Sequence, residues 1–184
     1  MPAQPSDIVG FWRAAGPTRW FEKDDGFDAA IRLKFEPTHH AAARGEYQAW
    51  TGTPEGALAL LILLDQFPRN LYRGSGHAFA TDPLARRITD EALERGHDRA
   101  TGVDLRNFFY LPYEHSESLA DQDRGVALCV TLATETGDEG FLKWARIHRD
   151  IIARFGRFPH RNPALGRVTT AEEQAFLDEG GFAG

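Results

Sequence analysis

Residues 53–70 read TPEGALALLILLDQFPRN, and their reading decides the fold. Thr53-Pro54-Glu55 is a strong helix start. A hydroxyl can accept from the open N–H groups of the first turn, proline stands where its missing donor does no harm, and an acid sits at the positive helix end. The run from Ala57 to Leu64 that follows is apolar on nearly every side. A helix apolar all round belongs in the middle of a protein, so a central buried helix is expected here. It should end near Gln66, because Phe67-Pro68 disfavours its continuation. The run is also far too short to span a bilayer, and no membrane association is expected.

Outward from this stretch the chain reads as helix after helix. Ser6-Asp7 can cap a first helix carrying Ile8, Val9, Phe11 and Trp12, with Gly16-Pro17 as its end. Phe27, Ile31 and Phe35 share a helical face, and Pro37 should kink or break that helix. Thr81-Asp82-Pro83 opens another helix, with Gly96 as its C-cap. Residues 138–156 form an amphipathic helix whose apolar face is read as Phe141, Trp144, Ile147, Ile151 and Phe155, ending at Gly156. Thr169 or Thr170 starts a last helix with Glu172 and Glu173 in its first turn. No alternating pattern argues for a strand; the best candidate, RNFFYL at 106–111, is short and runs into a helical pattern. The expectation is an all-α protein of roughly seven helices packed as antiparallel pairs, in one domain over residues 1–184.

Composition narrows the function. The chain of 184 residues suits one sizeable core, and its net charge of -6 argues against a general nucleic-acid binder. A single cysteine, Cys129, permits no internal disulfide, and its apolar surroundings suggest a buried thiol. The opening residues lack the basic and apolar regions of a secretory signal, so a cytoplasmic location is expected.

Three polar motifs carry what chemistry the sequence offers: LLDQFPRNLYRG at 63–74, FYLPYEHSESLADQ at 109–122 and RFGRFPHRNPALGR at 154–167. Together they resemble the bacterial family catalogued as domain of unknown function 924, over residues 9–177. The resemblance implies an all-helical, tetratricopeptide-like fold. It implies no established reaction, substrate or cofactor.

The first and third motifs are written alike: Phe-Pro after an apolar segment, then Arg and Asn, then another Arg. A structural reading ends a buried helix at each, with Arg69 or Arg161 folding back onto open carbonyls and Asn70 or Asn162 in the turn. Asp65, four residues before Arg69, can pair with it. A functional reading takes the guanidinium groups of Arg69, Arg73, Arg157, Arg161 and Arg167, with His160 and both asparagines, as halves of one anion site. The planar guanidinium fork suits carboxylate and phosphate. The middle motif adds candidate acid/base groups: His115, supported by Glu114 or Glu117. Ser116 or Ser118 can cap the helix that follows, with Glu117 and Asp121 on one face of it. A nucleophilic serine is not expected, since no Gly-x-Ser-x-Gly context surrounds these serines. His148 is read as a core or boundary histidine at the edge of its helix's apolar face.

No His-x-x-x-His or His-Glu-x-x-His pair occurs, and the glycines match no nucleotide fingerprint, so no metal and no cofactor are expected. The function expected is a polar Arg/His/Glu pocket for a small anionic molecule, with histidine-assisted proton transfer. The alternative is a tetratricopeptide-like module that binds a peptide on its concave face.

Overall fold

The structure is a computed structural model that describes residues 3–184. No strand occurs among the described residues, and ten α-helical segments do. That is more than the roughly seven expected, because local backbone breaks divide the chain into additional short helices. The chain forms two compact units. One comprises the residues up to Arg73 together with His77–Pro112, the other Gly74–Gly76 and Tyr113–Gly184.

The first unit holds α1 (Pro5–Phe21), α2 (Asp25–Ala43), α3 (Pro54–Leu61), α4 (Phe67–Leu71), α5 (Asp82–Glu94) and α6 (Val103–Arg106). The central helix is as expected. Thr53 caps α3 by accepting from Gly56 N–H, and every residue from Gly56 to Leu61 is buried. Helix α3 packs on α1 and α5, while α2 packs on α4. Trp12, Phe27 and Phe67 lie ring against ring at the centre, and Trp20 Nε1 donates to Trp12 O at 2.6 Å.

The outcomes at Gly16 and Pro68 differ from expectation, and at Pro37 the helix is not broken. Gly16 takes φ +74° and bends α1, yet the helix resumes at Pro17, where proline needs no donor. Pro37 lies inside α2 without ending it. It sits on the solvent face with Leu33, whose carbonyl loses its partner, while Phe27, Ile31 and Phe35 hold the opposite face in the core. Pro68 does not end the central helix either. The backbone widens into a π turn over Ile62–Gln66 and continues as α4, with Phe67 N–H bonding Ile62 O. Pro68 has no N–H, so nearby carbonyls need other donors. Side chains supply them: His39 Nδ1 lies 2.8 Å from Leu63 O, Thr81 Oγ1 donates to Leu64 O at 2.5 Å, and Arg69 donates to Asp65 O. The Leu63 contact fixes the His39 tautomer with its proton on Nδ1.

In the second unit, α8 (Leu119–Thr136) and α9 (Gly140–Phe155) form an antiparallel pair, and α10 (Ala171–Asp178) follows. Ser118 caps α8, and Thr170 with Glu173 forms a capping box on α10. Gly156 ends α9 at φ +69°. The buried stripe of α9 is Leu142, Ala145, His148, Ile151 and Ile152. The expected face was therefore rotated by about one residue: Trp144 is 48% exposed, and Phe141, Ile147 and Phe155 are only half-buried. A further short helix, α7 (Leu111–Glu114), precedes α8.

Candidate functional site

The twin motifs fold differently and, Gly74 apart, belong to different units. In the first, Arg69 holds Asp82 through two 3.1 Å bonds and lies 3.3 Å from Asp65. Burial alone would weaken its charge, but the two carboxylates hold the guanidinium firmly protonated. Asn70 Nδ2 donates to Asp28 Oδ1 at 2.7 Å, and Arg73 grips both oxygens of Asp28 at 2.5 and 3.0 Å. Beside them runs an open groove of about 550 Å³, lined in part by Arg32, Leu33, Leu71 and Arg73.

In the second motif Gly156 ends the helix before the proline is reached, and Pro159 starts a single 3₁₀ turn. Arg157 takes Glu173 through bonds of 2.6 and 2.8 Å, and Asn162 Nδ2 donates to the same carboxylate at 3.1 Å. Arg157 chiefly, with the Thr170 N–H and Asn162, holds the Glu173 carboxyl down at about 2. Arg167 takes Glu117 at 2.7 and 3.0 Å and also donates to Phe158 O and Asn162 Oδ1. Arg161 donates to His115 O at 3.0 Å and lies over the Phe158 ring at 4.3 Å.

These contacts redistribute the expected roles. Glu117 does not share a helix face with Asp121, because α8 begins only at Leu119. Instead it accepts from Phe158 N–H at 2.9 Å and from Arg167. Burial would raise its pKa, but these donors bring it below the ordinary value and keep it a carboxylate. It therefore ties the third motif to the middle one. Asp121 accepts from Ser116 Oγ at 2.7 Å, and the buried Gln122 amide clamps Glu114 O and Ser116 O at 2.6 and 2.7 Å. The segment that presents Glu114 and His115 is thus held by its own backbone carbonyls.

The polar centre of this unit is a residue that spacing alone placed at a margin. Glu114, 5% exposed, has Oε1 3.1 Å from His148 Nδ1, and that nitrogen also lies 2.9 Å from Trp144 O. Burial first, then the neighbouring His115, Arg161 and His160, bring the His148 pKa down to about 3, against the pull of the Trp144 carbonyl. The imidazole is neutral at pH 7, so its 3.1 Å contact with Glu114 is not an ion pair, and the hydrogen bond of Nδ1 runs to Trp144 O. Both acceptors face Nδ1, which fixes the proton there and leaves Nε2 with its lone pair. The His115 ring lies 6.3 Å from His148, the Phe158 ring 5.5 Å and the Phe182 ring 4.4 Å; His160 lies 5.6 Å from Phe158. The second unit therefore brings together His115, Glu114, His160 and Arg161 of the expected site, and adds His148 and Phe182. The available signal was a single histidine in the apolar stripe 142/145/148/152.

Cys129 is buried, and burial with nearby Glu114 raises its thiol to about 12, which makes it an inert thiol. Among the described residues no three His, Cys, Asp or Glu side chains are grouped to hold a metal ion, and no helix is long and apolar enough to cross a membrane.

Comparison with known proteins places these motifs in context. A family model described as a bacterial protein of unknown function, DUF924, matches residues 8–181. A solved structure of a protein of unknown function from Agrobacterium tumefaciens, ATU0120, is similar at 51% identity and a TM-score of 0.89, covering 95% of this chain and 97% of that one. No curated protein matches.

Proposed function

We propose that this chain, which belongs to the bacterial family of unknown function DUF924, binds a small phosphate or carboxylate at the imidazole cluster of its second unit. The observation that carries this reading is the buried Glu114–His148 contact of 3.1 Å beside the Arg161 guanidinium. His115, His160 and Arg161 bring donors and positive potential to one place, which an anion would find favourable. Glu114 orients His148, and the Nε2 lone pair is the group that accepts a proton. An arriving anion meets a neutral imidazole at pH 7, and its charge is met by the Arg161 guanidinium. Glu117 and Arg167 position the cluster in this reading and take no part in proton transfer. A cytoplasmic setting suits the single buried thiol.

The test is a thermal-shift titration with inorganic phosphate and acetate at pH 7. A ligand bound only by the native state raises Tm with its concentration. The expected result is a dose-dependent rise with one or both anions, lost in Arg161→Ala. Equal shifts of the wild type and the Arg161→Ala protein would remove the reading.

The alternative is a tetratricopeptide-like module that binds an acidic peptide. The observation favouring it is the open groove of the first unit, where the exposed Leu33 neighbours Arg32 and Arg73. Binding of acidic peptides that Leu33→Asp abolishes, without any phosphate effect, would favour this second reading.

A further inference from the structure

Helix α10 closes in a two-glycine turn. Gly180 N–H bonds Leu177 O at 3.1 Å and Gly181 N–H bonds Phe176 O at 2.9 Å, the paired bonds of a Schellman motif. Gly180 takes φ +83°, and a Cβ on Gly181 would stand 2.5 Å from Phe176 O. Both positions require glycine, so the direction in which the chain leaves α10 is set. It carries Phe182 back onto α9.

There the Phe182 ring meets three aromatic neighbours: His148 at 4.4 Å and 63°, His160 at 5.2 Å and 83°, and Trp144 at 6.2 Å and 55°. Edge-to-face packing of this kind favours a planar ring over an aliphatic side chain of similar bulk. Phe182 is only half-buried, and Trp144 at its flank is 48% exposed, so the slot opens to water on one side. The imidazoles that grip the ring are those of the proposed anion cluster.

We infer that Phe182 is an internal, displaceable occupant of an aromatic slot, and that the ligand is a planar ring bearing an anionic group. The inference rests on the anion reading above and deepens it. The ligand ring takes the place of the Phe182 ring against His148 and His160, while its anionic group meets the Arg161 cluster. Phe182 in place keeps water from His148; its displacement by a ligand couples ring recognition to access to the imidazole.

The experiment follows the histidine ring signals by NMR while phenol, inorganic phosphate and phenyl phosphate are added to wild type, Phe182→Ala, Phe182→Leu and Arg161→Ala. The leucine variant retains bulk should alanine loosen the fold. Phenol should shift the His148 and His160 signals in both Phe182 variants at about tenfold lower concentration than in wild type. Phenyl phosphate should bind the variants about tenfold more tightly than inorganic phosphate does. Phenol that leaves those signals unmoved in folded variants overturns the slot, whatever phosphate does. Phenol shifts without any response to either phosphate, or with phosphate responses unchanged in Arg161→Ala, leave the slot standing but overturn the anionic ligand class and the reading it rests on.

Discussion

At the scale of the residue, His148 shows how burial converts a common side chain into a specialised one. Its pKa of about 3 in the fold stands below the ordinary 6.5. Between these values the unfolded chain binds a proton that the folded chain refuses. Stability from this group is therefore complete above about pH 6.5 and falls as pH drops towards 3, by roughly 1.4 kcal/mol per pH unit. Urea unfolding between pH 7 and pH 4.5 should show a steeper acid loss in wild type than in His148→Gln. Identical slopes would mean that His148 is not held neutral. His39, also lowered by burial, keeps some slope in both proteins. The role of His148 was not legible because two stripes on α9 have helical spacing, one led by Phe141 and Trp144, the other by Leu142 and Ala145. Aromatic size favoured the first; packing chose the second, because the small Ala145 permits close approach where Trp144 cannot.

At the scale of the element, the two Phe-Pro motifs diverge for a local reason. RFGRFPHRN contains Gly156, which stops α9 in the left-handed conformation before Pro159; LLDQFPRN has no glycine, and its helix widens and continues. That difference was visible in the letters, but the π turn was not. It depends on donors from His39, 24 residues away, and Thr81, 17 residues away. Thr81→Val keeps the shape and leaves Leu64 O without this donor, at an expected cost of about 1–3 kcal/mol in chemical denaturation. The cost should shrink in a Pro68→Ala background, where a backbone N–H is restored. An unchanged cost there would show that the hydroxyl acts otherwise than by replacing the proline's missing donor. A second element-scale test concerns the start of α3. A Cβ on Gly56 would stand 2.2 Å from Trp50 O, so Gly56→Ala should destabilise by about 1–3 kcal/mol, and a neutral effect would place that turn elsewhere.

At the scale of the whole molecule, the net charge of -6 governs the partners it can accept. Its arginines do not form a bare basic face: Arg73 holds Asp28, Arg157 holds Glu173 and Arg167 holds Glu117. Duplex DNA should accordingly show no mobility shift with micromolar protein at physiological salt, and retention of the duplex would contradict this reading. What the sequence by itself determined is the helical character, the cap at Thr53, a last helix opened by Thr169 or Thr170, the stops at Gly96 and Gly156, and the burial of the central apolar helix. All of these rest on interactions within a few residues, or on a run too apolar to face water. What only the tertiary structure decided is which charges meet and which face of α9 turns inward. Arg73 finds Asp28 across 45 residues, Arg161 finds His115 O across 46 and Arg167 finds Glu117 across 50. Such pairings depend on packing that brings distant segments together, and many carboxylates in the chain offer each arginine a similar charge; position in the fold selects among them.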